Sequence, residues 1–287
     1  MTESLLEPFQ YTFFRHGIVV ATLAGGLCGL VGVYVVLRGM SYIGHGLSHA
    51  IFGGAAASAV VNFNFYVGAG LWGLASALMI GRVTRRRPIG SDAAIGVITT
   101  ASFALGLVLF GLFGRAEKSM DAVLFGSILG VTAGDAWAVA AVAASAAAIV
   151  FFRYRALLFS TFDPEVADVS GVNTARTDAL LMLVLAVSIL ATMKVIGVVL
   201  IAAMLVIPPV AARMLTNSFA RMLWLSVVIG AACGLMGMYL SYHLDVSSGA
   251  TIVLVGAVVF GVILALTGPR GLHRAGRHDV RGPLVGP

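Results

Sequence analysis

Two histidines one helical turn apart form the clearest candidate for chemistry in the sequence. His45 and His49 lie in the stretch GHGLSH, residues 44–49. If this stretch is helical, side chains four residues apart share one face, and two imidazoles at that spacing can hold one transition-metal ion. The alternative is a pair of interfacial histidines that only cap the helix and form hydrogen bonds. A metallopeptidase needs Glu directly after the first His, and position 46 is Gly.

A second candidate is the segment FDPEVADVSG, residues 162–171. Asp163 is a good N-cap, Pro164 suits the first helical position and Gly171 is a natural helix stop. These residues predict a short helix that also carries Glu165. Two interpretations stay open at this point: a helix that only lies at the surface, or a helix on which a soluble partner docks.

The composition indicates what kind of fold must position these residues. Of the 287 residues, 60% are hydrophobic and 10% are charged, and the mean hydropathy is +1.01. A soluble domain carries about 25% charged residues, and a disordered chain cannot be this apolar. We therefore predict an all-α, polytopic membrane helical bundle. The chain is expected to form a single domain over 1–287, with the bundle at about 14–267 and a basic tail at 268–287.

Apolar runs of about 20 residues, the length that crosses a bilayer core, predict about nine transmembrane helices. Small residues such as those at 53–57 allow close helix packing in lipid, which favours a compact bundle. Lys194 separates the sixth run from the seventh. The predicted spans are 17–37, 47–63, 65–82, 93–113, 134–152, 177–193, 195–212, 222–243 and 249–267.

The basic residues predict the orientation of the bundle. With the arginines at 82–87 in the cytoplasm, alternation of nine spans places 14 of the 18 Lys and Arg residues on that side, as the positive-inside rule requires. The N-terminus is then outside and the C-terminus in the cytoplasm. His243 and Asp245 fall in an outer hairpin, where they could attract incoming cations. The net charge of +6 thus indicates membrane topology rather than nucleic-acid binding.

Acidic residues lie at the ends of several predicted spans, and the sequence contains only two lysines. Asp92, Asp135 and Asp178 begin apolar runs, where N-capping is the simplest explanation. Neither of the two lysines lies in a phosphate-binding loop. Any nucleotide hydrolysis must therefore take place on another chain.

Six segments in order resemble the ABC-3 family, the permease subunits of bacterial manganese, zinc and iron ABC importers. The resemblance covers roughly residues 14–267. Each motif is weak alone, but six in register are a strong indication. The segments are VVLRGMSYIG and LSHA (35–44 and 47–50), DAAIGV (92–97), LFGSIL (124–129), FDPEVADVSG (162–171), VIGV through Pro208 and Arg213 (195–213), and DVSSGATIVL (245–254).

This resemblance implies a multi-pass inner-membrane permease, related in architecture to the vitamin B12 and siderophore permeases. It implies a homodimer that works with ABC ATPase subunits and an extracytoplasmic metal-binding protein. The cargo would be a divalent ion of Mn, Zn or Fe, with no permanently bound cofactor and no enzymatic activity of the chain itself. His49 matches the family's histidine, and the segment with Asp163, Glu165 and Gly171 matches the region on which the ATPase docks.

The sequence departs from the family pattern at His45, where Asp is usual, and at Ser247 and Ala250, where Pro is usual. Imidazole suits Zn, Fe and Cu better than Mn, although it does not exclude Mn. Two other functions are considered: a permease for a metal chelate such as haem or a siderophore, which needs a wide cavity, and a membrane-embedded metalloenzyme. The absence of a base beside His45 and His49 argues against the enzyme.

Overall fold

The chain folds into a bundle of helices. The computed structural model describes residues 7–60, 63–84, 91–113, 130–197 and 200–276, and every regular element in these ranges is a helix. The motif at 124–129, the arginines at 85–87 and the end of the tail lie outside the described residues. After a 3-10 helix at Glu7–Gln10, the helices are α1 (Thr12–Leu37), α2 (Ile43–Val60), α3 (Phe65–Thr84), α4 (Ser91–Phe113), α5 (Ala133–Phe152), α6 (Tyr154–Phe162), α7 (Pro164–Val169), α8 (Thr174–Ile196), α9 (Ile201–Leu215), α10 (Phe219–Leu244) and α11 (Ser248–Gly276).

The all-helical fold predicted from composition is confirmed, whereas the number of spans is not. Within the described residues, six helices are long and apolar enough to cross a membrane, and two more, Ala93–Leu109 and Ile201–Leu215, are apolar but shorter. The helix α2, which contains four glycines, two serines and two histidines, is not among these eight helices. The count of about nine, predicted from apolar runs, is therefore not confirmed.

The break between the sixth and seventh predicted spans lies further along the chain than expected. The helix α8 continues through Lys194 and ends at Ile196. Gly197 follows with φ 87°, a left-handed conformation that favours glycine and ends the helix. A single lysine does not stop a helix, because its long side chain can reach away from the apolar region.

The helix α1 lies at the centre of the bundle and packs against α5, α8, α9 and α10. Glycine makes the contact with α10 possible, because a Cβ at Gly25 would collide with the carbonyl oxygen of Gly230. The Ser226 hydroxyl donates to the Gly29 carbonyl at 2.6 Å across the same contact. Small residues thus bring two backbones together, as predicted for helix packing in lipid.

Contacts between helix ends define two ends of the bundle. At the first, the Phe219 ring that begins α10 lies 5.7 Å from Tyr34 near the end of α1 and 5.9 Å from Phe162 of α6. At the other, Tyr242 near the end of α10 lies 5.2 Å from Phe14 near the start of α1. We call these the Arg38 end and the Tyr242 end. The helices α6 and α7 therefore lie at the Arg38 end.

Candidate metal site

The predicted histidine pair forms on α2. The helix begins at Ile43, so His45 and His49 lie one turn apart, with their Nε2 atoms separated by 3.0 Å and their ring centroids by 4.3 Å. One ring donates an N–H to the other at this distance. Two imidazole nitrogens that bind one zinc ion at about 2.1 Å in tetrahedral geometry lie about 3.4 Å apart. The two nitrogens are therefore close enough for one ion to reach both after a small adjustment of the rings.

Packing against α4 holds the inner ring of this pair. His49 is half-buried, and its ring lies 4.6 Å from Phe103 of α4. Its Nδ1 is buried and accepts or donates no hydrogen bond to any described residue. Aromatic packing against Phe103 and the Nε2 contact with His45 therefore set the orientation of the ring. A Cβ at Gly46 would lie 2.8 Å from side-chain atoms of Ile95 and Thr99, so glycine permits this close approach of α2 to α4.

The pair opens onto a face that the described residues leave uncovered. His45 is exposed, and so are Gly96 and Val97 on the adjoining part of α4; the Val97 side chain is 71% exposed. Among the described residues, no group of three or more His, Cys, Asp or Glu residues gathers in one place. The pair thus supplies two donors on an open surface.

The outer pair, His243 and Asp245, lies elsewhere. Asp245 ends α10 in the left-handed conformation, with φ 52°, and both residues are exposed. The His243 ring packs 4.6 Å from Tyr239 on its own helix. These residues lie at the Tyr242 end, whereas α2 begins beside the end of α1 at the Arg38 end. The structure therefore does not bring the two predicted pairs together.

The capped helix predicted between residues 162 and 171 is confirmed as α7. The Asp163 carboxylate accepts a hydrogen bond from the Val166 amide at 2.9 Å, and Pro164 occupies the first turn. Gly171 follows with φ 79°. Glu165 is exposed, as is Val169, whose side chain is 91% exposed. The helix thus presents an acidic and apolar surface away from the bundle.

The sequence did not predict α6, the helix that precedes α7. Its N-cap, Arg153, forms no side-chain capping hydrogen bond, so it lacks the residue type that marks a helix start. Phe159 and Phe162 on α6 are 45% and 60% exposed. The surface at the Arg38 end is therefore a pair of short helices rather than one.

Comparison with known proteins decides the family. The model of the ABC 3 transport family matches residues 10–267. The chain belongs to this family. The predicted resemblance and the prediction of an ABC transporter membrane subunit are both confirmed.

Relatives and solved structures agree along the whole length. The chain is 34% identical to the manganese transport system membrane protein MntC of Listeria monocytogenes, over 94% of this chain and 96% of that protein. It is also 34% identical to a probable iron transport system membrane protein of Haemophilus influenzae, over 92% and 97% of the two chains. The structure of PsaBC from Streptococcus pneumoniae in complex with Fab matches with TM-score 0.81 and 32% identity, covering 92% of this chain and 95% of that one.

A second solved structure is less similar in sequence, and the comparison with it concerns the fold only. An inward-facing conformation of a putative metal-chelate type ABC transporter matches with TM-score 0.69 and 19% identity, over 88% of this chain and 86% of that one. The permease therefore shares its helical architecture with transporters beyond its close relatives.

The permease also contains a polar cluster that sequence reasoning missed. The Arg38 guanidinium at the end of α1 forms an ion pair of 2.6 Å with Asp178 of α8. It donates to Ser160 Oγ at 2.9 Å and to Thr161 Oγ1 at 3.2 Å on α6. Arg38 therefore joins three helices, one of which belongs to the short-helix pair. We call these four residues the Arg38 cluster.

The role expected for Asp178 was wrong. The N-cap of α8 is Asn173, whose side chain accepts from the Arg176 amide at 2.9 Å. Asp178 lies a full turn inside the helix, where capping is impossible and an ion pair is the alternative. The sequence did contain one indication of this ion pair. Arg38 and Asp178 lie at the same predicted end of two apolar spans, and charges at such positions are stabilised by pairing.

Proposed function

We propose that this chain is the membrane subunit of an ABC importer that moves a divalent transition-metal ion, Mn, Zn or Fe, with ATP hydrolysed on separate ATPase subunits. One observation carries the proposal: the Nε2 atoms of His45 and His49 converge at 3.0 Å in a chain that matches the family over residues 10–267. Relatives at 34% identity are named as manganese and iron transport proteins, which supports the metal as cargo.

A second copy of the chain would complete the metal pathway. Each protomer supplies two imidazoles on an open face, and most homo-oligomers are two-fold dimers in which the same patch meets itself. Such a dimer would gather the two pairs at one seam. A site made of few protein ligands and water binds weakly enough to release its ion, as transport requires. His243 and Asp245 would serve at most as an outer attraction for cations.

The membrane orientation proposed here is nine spans, with the N-terminus outside and the C-terminus in the cytoplasm. It makes the Arg38 end cytoplasmic and the Tyr242 end extracytoplasmic. Asp163, Glu165 and Gly171 then lie where an ATPase docks, and an extracytoplasmic metal-binding protein would deliver the ion at the opposite end. Closure of the ATPase subunits would move α6 and α7 and rock the bundles between outward-facing and inward-facing states.

The Arg38 cluster provides the connection between docking and the metal site. Arg38 contacts α6 and lies only seven residues before His45. The turn between them is held by hydrogen bonds from the Gly39 amide to Val36 O at 3.2 Å and from the Met40 amide to Val35 O at 3.0 Å. Because this turn is a closed, hydrogen-bonded cap, a displacement of α6 would be transmitted through Arg38 to the start of α2.

Substitution of Gly171 tests the docking surface. In Gly171→Val, a β-branched residue must adopt φ 79°, which costs about 1–3 kcal/mol and should displace the end of α7. We expect less ATPase to co-purify with the variant. Gly134→Val is the matched control, because Gly134 lies on α5 without a positive φ. Full ATPase recovery and full coupled hydrolysis in Gly171→Val would contradict docking at α7.

Single cysteines test the orientation. In a Cys28→Ala, Cys233→Ala background, we expect a membrane-impermeant thiol reagent to label Ser247→Cys in intact cells and to leave Ser91→Cys unlabelled. The reason is that the positive-inside rule is most reliable for short loops. Labelling of Ser91→Cys in lysed cells is the positive control. The reverse pattern in intact cells would invert the proposed orientation.

Metal accumulation in cells tests the function itself. Cells lacking their own importers would express the chain with its ATPase and metal-binding protein, and elemental analysis would follow Mn, Zn and Fe supplied as free ions or as chelates. We expect accumulation of at least one free ion. Accumulation that occurs only with a chelate would replace the proposal with a chelate permease.

A further inference from the structure

A long apolar groove runs along the bundle on the side formed by α1, α5 and α10. Its volume is about 1190 Å³. The groove is lined by Leu23 and Leu27 of α1, Ala147 and Val150 of α5, and Trp224 and Val227 of α10. It opens sideways, since the flanking Phe151 and Trp224 side chains are 76% and 74% exposed. The groove is therefore an open lateral surface that the described chain does not fill.

One end of this groove is basic. Arg153 and Arg155 line it at the Arg38 end, where α5 passes into α6. A second cavity of about 320 Å³ adjoins it and shares Arg153, and its lining adds Arg176. Among the described residues, no Asp or Glu lines either cavity. Arginine is the side chain best suited to phosphate, because its planar group donates several hydrogen bonds at once.

In the part of the chain that the structure describes, no ion pair joins these three arginines to a carboxylate. The small cavity also reaches Asn173 and Thr177 at the N-terminal turn of α8. The Asp168 carboxylate already caps this turn, since it accepts from the Thr174 hydroxyl at 2.7 Å and from the Thr174 amide at 3.4 Å. The site for an anion is therefore the three arginines, which meet the apolar groove in one continuous depression.

We propose that this depression binds one anionic phospholipid, with its acyl chains along the groove and its phosphate at Arg153, Arg155 and Arg176. Basic pockets between helices at the cytoplasmic surface are suited to anionic headgroups. The choice of leaflet rests on the proposed orientation, whereas the site itself does not. A helix of a second copy would fill only the apolar part and would leave the arginines without counter-charges, which is costly at a membrane surface.

The lipid would connect the elements that carry the docking surface. Arg153 is both the C-cap of α5 and the N-cap of α6, and Arg176 lies in the first turn of α8. A bound phosphate would hold these three helix ends together at the position where α6 leaves the bundle. Occupancy should therefore raise the thermal stability of the permease in detergent.

Binding of defined lipids to the purified full chain tests this site. Phosphatidylglycerol and phosphatidylcholine would be titrated into the protein in neutral detergent and followed by native mass spectrometry and thermal unfolding. We expect one tightly bound phosphatidylglycerol per chain, which also raises the unfolding temperature. The triple variant Arg153→Gln, Arg155→Gln, Arg176→Gln should bind it at least about tenfold more weakly, since each surface arginine contributes about 1 kcal/mol toward anionic lipid.

Two further variants make the outcome decisive. Ala147→Phe keeps every charge but fills the groove at an exposed position, so it should also weaken phosphatidylglycerol binding, whatever the folding of the triple variant. Arg82→Gln removes an exposed arginine from the end of α3, outside both cavities, and should bind like the unmodified chain. Equal binding of the two lipids by the unmodified chain, or unchanged binding in Ala147→Phe, would overturn the proposal. So would disulfide cross-linking of Ala147→Cys between two copies, because the groove would then be a protein interface.

Discussion

We expect His49→Ala to abolish metal accumulation while the permease remains folded in the membrane. His49 supplies one of the two nitrogens that converge at 3.0 Å, and its half-buried ring is held against Phe103. Removing even an outer partner of a metal ligand costs about 10–100-fold in affinity, so losing the ligand itself should reduce uptake to background. Uptake would be measured in cells that contain equal amounts of each variant in the membrane fraction.

Two further histidine variants show whether the loss of uptake is specific to the histidine pair. His16→Ala removes another half-buried histidine, near the start of α1 and away from the pair, and should leave uptake unchanged. His45→Asp restores the family's usual carboxylate and should retain uptake, with preference shifted toward Mn, because carboxylate oxygen suits Mn better than imidazole does. Normal uptake in His49→Ala would remove this residue from the pathway. Complete loss in His45→Asp would contradict a shared site.

We expect that breaking the Arg38–Asp178 pair uncouples ATP hydrolysis from transport. Arg38→Gln removes the 2.6 Å ion pair with Asp178 and weakens the contact with Ser160. Removing one member of a fully buried pair costs about 3–5 kcal/mol; with side chains 11% and 24% exposed, about 1–3 kcal/mol is expected here. The complex should still assemble and hydrolyse ATP at its basal rate, while stimulation by metal-loaded binding protein falls about tenfold.

The ratio of stimulated to basal hydrolysis distinguishes coupling from mere folding. A purely structural defect would lower both rates together, whereas an uncoupled complex loses only the stimulation. Arg38→Lys keeps a positive charge near Asp178 but lacks the planar guanidinium that also contacts Ser160 and Thr161. We therefore expect an intermediate ratio of stimulated to basal hydrolysis. An unchanged ratio in Arg38→Gln would exclude the Arg38 cluster as the connection between α6 and α2.

Local patterns predicted most of the elements, because their determinants lie within a few residues of each helix end. Each of the nine predicted spans overlaps a helix, and five of them agree with a helix to within three residues at both ends. The residues at 163, 164 and 171 defined α7 correctly. The start of α2 was placed four residues late, at 47 instead of 43. Its first turn is rich in glycine and polar residues, so it does not resemble an apolar span.

The parts that sequence reasoning missed depend on contacts between distant residues. Arg38 and Asp178 lie 140 positions apart. The sequence analysis therefore treated them separately: Arg38 as one of the basic residues that set the membrane orientation, and Asp178 as a helix cap. The groove draws its residues mainly from α1, α5, α6 and α10. Hydropathy cannot predict that these helices leave a space between them. The histidine pair was predictable because both members lie on one helix, whereas its open face required the packing of α2 on α4.

Transport in a purified system tests the central claim most directly. The permease, its ATPase and its metal-binding protein would be reconstituted in proteoliposomes, with the binding protein loaded with Mn, Zn or Fe on one side and ATP supplied on the other. We expect ATP-dependent movement of free metal ion across the bilayer with unmodified permease and none with His49→Ala. Equal movement with and without ATP, or movement of a chelate but of no free ion, would contradict it.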